Sequence, residues 1–134
     1  MPSDSKQISE WIDRRATDVY EYASDPANLP QWAPGLGNSV DNVDGQWFVD
    51  TQSGRVGFAF VERNKYGVLD HEVTLPSGEV IYNPMRVVPH GDGCEVVFSL
   101  RRLPDISDED FARDAGLVRL TRIRRAGSGS GARD

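Results

Sequence analysis

Residues 54–103 read GRVGFAFVERNKYGVLDHEVTLPSGEVIYNPMRVVPHGDGCEVVFSLRRL, and the period of this stretch decides the fold class. Apolar and polar residues alternate through four segments, Gly54–Arg63, Val68–Leu75, Glu79–Val88 and Cys94–Arg102. Alternation with a period of two is the pattern of a strand with one buried face. Three connections separate the segments: Asn64-Lys65-Tyr66-Gly67, Pro76-Ser77-Gly78 and His90-Gly91-Asp92-Gly93. Each contains glycine and is of hairpin length, so the four segments predict an antiparallel sheet.

The turns also set registers. Pairing Arg63 with Val68 puts Phe60 opposite His71 and Phe58 opposite Val73. Pairing Leu75 with Glu79 puts His71 opposite Asn83, Leu69 opposite Met85 and Val73 opposite Ile81. Pairing Pro89 with Cys94 puts Met85 opposite Phe98, Asn83 opposite Leu100 and Val87 opposite Val96. Upstream, pairing Thr51 with Val56 puts Trp47 opposite Phe60 and Val49 opposite Phe58. The four registers agree on one apolar face, which holds Trp47, Phe58, Phe60, His71, Met85 and Phe98 among others. Arg55, Arg63, Asp70, Glu72, Arg86, Glu95, Ser99 and Arg101 fall on the opposite face.

Glu62, His71 and Asn83 are the polar residues on the apolar face. Buried polar groups need hydrogen-bond partners. His71 and Asn83 share a row with Phe60 and Leu100, so they can satisfy each other, hold a trapped water, or anchor a ligand in a cavity. Acid–base use of His71 is a further reading, without an evident second group. Glu62 lies at a strand end and is expected to reach solvent.

Outward from the sheet, Lys6–Asp13 is a strand candidate after a loose tail at residues 1–5. Ala16, Val19, Tyr20 and Ala23 fall at helical spacing in Ala16–Ser24, with Thr17 or Asp18 as cap. Asp25-Pro26 opens a second short helix, cut off by Pro30 and Pro34, and Trp32 plugs that corner. Strands are expected at Asn38–Val43 and Gln46–Thr51, joined by Asp44-Gly45. After Pro104, Ser107 caps a long helix that carries Asp108, Glu109 and Asp110 in its first turn and Arg122, Arg124 and Arg125 in its last. Phe111, Ala115 and Val118 form its apolar stripe, and Gly127 ends it, leaving a flexible tail at 127–134. One helix with one apolar stripe must lie against the sheet.

The 134 residues fit one domain spanning 6–126. A net charge of −6 argues against nucleic acid or an anionic membrane as partner. No apolar run reaches a membrane-spanning length, and the polar first residues hold no signal core, so a cytoplasmic protein without integral membrane association is expected. A homodimer is compatible with these residues. Cys94 is the single cysteine, His90 sits in an exposed turn, and no metal set or cofactor is expected. Gly35-x-Gly37 lacks the third glycine of a dinucleotide loop, and Gly127–Gly131 is no nucleophile elbow.

The stretch VYEYASDPANLPQW at residues 19–32 resembles the SRPBCC superfamily, the START-like or polyketide cyclase/dehydrase group. Gly67-Val68-Leu69-Asp70-His71, Pro84-Met85-Arg86-Val87 and Ser107-Asp108-Glu109-Asp110-Phe111 resemble a bacterial subgroup of it. The resemblance covers roughly residues 6–124. It implies an α+β helix-grip fold: a bent seven-stranded antiparallel sheet around a long C-terminal helix, with two short helices between strands 1 and 2. It also implies a cavity for lipids, sterols, polyketides or other apolar molecules.

Three functions follow as expectations. The first is binding of a small apolar or aromatic molecule by Trp32, Trp47, Phe58, Phe60, Met85 and Phe98, with His71 and Asn83 orienting one polar group. The second is a cyclase or dehydratase in which His71 is the catalytic residue. The third is a protein-interaction module with no ligand.

Overall fold

Pro84 interrupts the strand expected at Glu79–Val88, and the rest of the sheet follows from that break. The computed structural model describes residues 5–33, 39–51, 54–102, 106–118, 120 and 123. It has eight strands: β1 (Ser5–Ile12), β2 (Val40–Val43), β3 (Gln46–Thr51), β4 (Gly54–Phe60), β5 (His71–Thr74), β6 (Val80–Asn83), β7 (Met85–His90) and β8 (Gly93–Arg101). Eight replace the expected seven because proline has no N–H to give to a ladder. Before the break β6 pairs with β5; after it β7 pairs with β8. The result is two antiparallel sheets, ordered β1-β8-β7 and β2-β3-β4-β5-β6.

Side-chain oxygens complete the hydrogen bonding around the break. Asn83 Oδ1 accepts from Arg101 N at 3.0 Å, and Asp70 Oδ1 accepts from Met85 N at 2.8 Å. The Pro84 carbonyl accepts from Ser99 N at 2.9 Å. The sheets stay joined through residues 67–69, where Leu69 N donates to Met85 O and Val87 N donates to Gly67 O, both at 2.8 Å. Asp70, expected on the charged outer face, is only 5% exposed. It is covered on that face by Tyr82, whose Oη donates to it at 2.7 Å, and by Arg86, whose Nε lies 3.5 Å from Oδ1.

Three of the four registers are found as expected, including Phe60↔His71, His71↔Asn83 and Met85↔Phe98. The fourth is shifted by two residues. Trp47 pairs with Phe58 and Val49 with Val56, because Thr51 pairs with Gly54 across a tighter turn. A slip of two keeps every side chain on its face. The expected apolar face is accordingly the core side: Val49, Val56, Phe58, Leu69, Met85, Val87, Val96 and Phe98 are buried.

Helix α1 (Ala16–Ala23) buries Val19, Tyr20 and Ala23. Its N-cap is Arg15, without a capping side-chain bond, rather than Thr17 or Asp18. Asp25 accepts from Ala27 N at 3.0 Å and caps a single 3-10 turn, Pro26–Asn28, which leads into α2 (Leu29–Trp32). Trp32 is fully buried.

The last helix, α3 (Asp108–Leu117), is ten residues long, not the long helix expected. Ser107 caps it as expected, accepting from Asp110 N at 3.0 Å. It ends early because Gly116, a poor helix former, sits in its last turn. Val118 is extended, and Leu120 and Ile123 beyond it are fully buried in the core. Of the loose tail expected at 1–5, Ser5 instead opens β1, paired with Arg101; the rest of that tail and the expectations about 127–134, Gly35, Gly37, Pro34, Pro104, Arg122, Arg124 and Arg125 lie outside the described residues. Among the described residues no helix is long and apolar enough to cross a membrane.

Two glycines separate conformational strain from steric contact. Gly91 has φ +61° with nothing within 4 Å of an added Cβ, whereas Gly67 has φ +74° and its Cβ would lie 2.2 Å from the Val87 carbonyl oxygen. Gly91→Ala is expected to cost about 1 kcal/mol. Gly67→Ala is expected to cost more than about 2 kcal/mol, since the strand junction must also shift. Urea unfolding of the two variants checks the order, and equal losses would remove the steric account of Gly67.

Candidate functional site

Alternation along β4 puts Phe58 and Phe60 on one face, and the β4–β5 register brings His71 beside them. The imidazole stacks on Phe58 with ring centroids 4.8 Å apart and on Phe98 at 5.5 Å, each at 26°. Phe60 meets it edge-on at 5.5 Å, and Trp32 meets Phe98 edge-on at 6.1 Å. His71 is 0% exposed.

Its hydrogen bonding fixes its chemistry. His71 Nδ1 lies 3.0 Å from the Leu69 carbonyl oxygen, which can only accept. The proton of the neutral ring therefore sits on Nδ1, and Nε2 is a bare acceptor. Nε2 has no hydrogen-bond partner. Burial lowers the imidazole pKa from 6.5 to about 4, outweighing the Leu69 carbonyl and the Asp70 charge, which raise it. His71 and Asn83 are cross-strand neighbours but do not satisfy each other; Asn83 Oδ1 is taken by Arg101 N. At Asp70, burial pushes the carboxyl up. Hydrogen bonds from Tyr82, Met85 and Arg86, with the Arg86 charge, outweigh that and hold it below its ordinary value.

A half-open cavity of about 600 Å³ lies against this cluster. Ser24 and Pro26 line it from the end of α1, Gly45 and Gln46 from the β2–β3 turn, and Leu75 and Pro76 from the end of β5. Trp47, Phe58 and Phe60 form its aromatic wall. Phe48, Arg55, Gly57, Ala59, Glu72 and Thr74 also line it, although alternation puts them on the opposite sheet face. Residues from both alternation sets of β3, β4 and β5 therefore line it, not those of the apolar face alone.

Of the expected ligand residues, Trp47, Phe58 and Phe60 come together at this cavity. His71 and Phe98 lie one ring behind its wall; Trp32, Asn83 and Met85 are buried and do not line it. Glu62 is exposed as expected. The sequence did carry a signal for the other wall: Gly57 and Ala59 at alternate positions of a strand leave room beside Phe48, and glycine inside a strand marks close approach. Among the described residues no cluster of His, Cys, Asp and Glu could hold a metal. Cys94 is buried, and burial pushes its thiol pKa up, away from reactivity.

A family model described as polyketide cyclase / dehydrase and lipid transport matches residues 7–126. No curated protein sequence matches the chain. Among solved structures, XoxI from Bacillus cereus is similar with a TM-score of 0.66 at 15% identity, over 91% of this chain and 94% of that one. Ara h 8.0201 gives 0.61 at 11% identity over 92% and 96% of the two chains. Truncated norcoclaurine synthase from Thalictrum flavum gives 0.57 at 15% identity over 93% and 94%. At these identities the structures share the fold with this chain.

The buried imidazole makes stability depend on pH. An unfolded histidine titrates near 6.5 and the folded one at about 4. Between those values the unfolded chain binds more protons, so stability is complete above pH 6.5 and is lost as pH falls toward 4. The loss is on the order of 3 kcal/mol. Asp70, with its lowered pKa, acts in the same direction but only below the ordinary aspartate value of 3.8. Denaturant midpoints should fall across pH 6.5 to 4 in the wild type and stay level in His71→Phe, which keeps the ring stack. A slope shared by both proteins would assign the effect to another group.

Proposed function

We propose, for a chain that belongs to the polyketide cyclase / dehydrase and lipid transport family of the SRPBCC superfamily, that its cavity binds a small apolar or aromatic molecule. The observation that supports this most is the half-open space of about 600 Å³ walled by Trp47, Phe58 and Phe60. That volume falls within the range of small-molecule sites. Apolar surface buried against these aromatic residues and Phe48 contributes roughly 25 cal/mol per Å² to affinity. Arg55 and Glu72 leave the lining with two charged groups. Arg55 is already paired with Asp41 and with Asp50. A ligand that is mainly apolar suits such walls.

His71 Nε2 is a bare acceptor, but the imidazole is 0% exposed and lies one ring behind the wall, so it does not reach a guest in the cavity. The same nitrogen is what a cyclase or dehydratase would use as a base. An imidazole with a pKa of about 4 is a weak proton acceptor near neutral pH, so the geometry favours binding over acid–base catalysis.

Two measurements test the reading. Native mass spectrometry of the purified chain should show a co-purified small molecule. In addition, the uncharged fluorescent probe N-phenyl-1-naphthylamine should bind the wild type at least tenfold more tightly than Ala59→Trp, which adds bulk to the lining at an exposed position. Equal probe affinity with an unchanged unfolding midpoint would reject this cavity as the site.

A further inference from the structure

On the other sheet, Trp11 of β1 stands opposite Glu95 of β8, and Glu95 stands opposite Val88 of β7. Trp11 and Val88 are each 45% exposed, unusually high for an indole inside a paired strand. The indole is nevertheless fixed. Its Nε1–H donates to the His90 carbonyl at 3.0 Å, so its one donor is occupied. One side of the ring rests on Gly93, where an added Cβ would lie 2.8 Å from Cζ2 and 3.0 Å from Cε2. Trp11 thus spans the β7–β8 turn and presents a π surface with no free hydrogen-bonding group.

Glu95 lies beside that surface, half-buried, and makes no ion pair among the described residues. A hollow of about 290 Å³ is lined by Trp11, His90, Gly91 and Glu95. An aromatic face and a carboxylate at one small hollow are the two groups that hold an alkylated ammonium: the ring quadrupole attracts the charge, and the carboxylate balances it. A tryptophan that only covered the turn would need no acidic neighbour. The net charge of −6 adds a general attraction for cations.

We infer that the hollow between Trp11 and Glu95 is a binding site for a small soluble organic cation, of the size and chemistry of a quaternary ammonium. It is separate from the cavity walled by Trp47, Phe58 and Phe60, and it does not depend on what that cavity binds. Gly93 supports the indole from beneath without lining the hollow; an added Cβ there would meet the Ile12 carbonyl oxygen at 2.3 Å and the indole at 2.8 Å.

The test uses the full chain labelled with nitrogen-15. The three tryptophans give three indole N–H signals, of which Trp11 is the reporter and Trp32 and Trp47 are internal controls. Choline and its uncharged isostere 3,3-dimethylbutan-1-ol are titrated in parallel. Choline should shift the Trp11 signal saturably and leave Trp32 and Trp47 in place, and the isostere should bind at least tenfold more weakly. Glu95→Gln should weaken choline at least tenfold, and Trp11→Leu, followed at the Glu95 amide, should abolish the response. Equal effects of choline and the isostere would overturn the inference. So would a wild-type affinity retained in Glu95→Gln, or no saturable shift in the wild type.

Discussion

Pro84 takes one N–H out of what would otherwise be a single strand, and the neighbouring chemistry is arranged around that gap. In the register set by His71↔Asn83, Asp70 stands opposite Pro84. Its carboxylate takes the next N–H, from Met85, together with the Tyr82 hydroxyl. Asn83 supplies a second side-chain acceptor to Arg101 N. A buried carboxylate is costly unless its oxygens are hydrogen-bonded, and here they are. The chain can therefore leave one sheet and enter the other without orphaned backbone donors at this corner. Asp70 turned to one side also leaves its neighbour His71 turned to the other, among the aromatic rings.

That placement explains why the two polar residues of the apolar face differ. Asn83 performs a backbone task, whereas His71 has one satisfied nitrogen and one bare one. An unsatisfied buried acceptor costs about 1 to 3 kcal/mol. Stacking on Phe58 and Phe98 offsets part of that, since aromatic pairs contribute about 0.5 to 1.5 kcal/mol beyond their buried area. Two of the rings that hold His71, Phe58 and Phe60, are also cavity wall.

The sequence disclosed the sheet well because alternation and turn length are local signals. Three registers and the buried face came from them directly, and even the shifted β3–β4 pairing kept its face. What escaped depended on distant partners. Pro84 was visible as a proline in a strand, but not that β6 and β7 would take different neighbours. Asp70 read as an outer charge, but not as a buried one, because the groups that cover it, Tyr82 and Arg86, come from β6 and β7. The C-terminal apolar stripe read as one long helix, yet burial of Leu120 and Ile123 goes with an extended Val118. The part Phe48, Gly57 and Ala59 play in the cavity lining was marked only by small residues at alternate positions of β4.

The pairing of β1 with β8 bears on how the chain is assembled. These strands meet over eight residue pairs, from Ser5↔Arg101 to Ile12↔Cys94. Their ladder closes loops of roughly 80 to 100 residues, among the most entropically demanding contacts a chain this size can make. The β7–β8 hairpin, by contrast, needs only a short turn. As the polypeptide leaves the ribosome, the first strand made has no partner until nearly the whole domain has emerged. Shielding of the Ile8 and Ile12 side chains thus waits on the last strand of the sheet, which makes completion of the domain a late, all-or-none event in its synthesis.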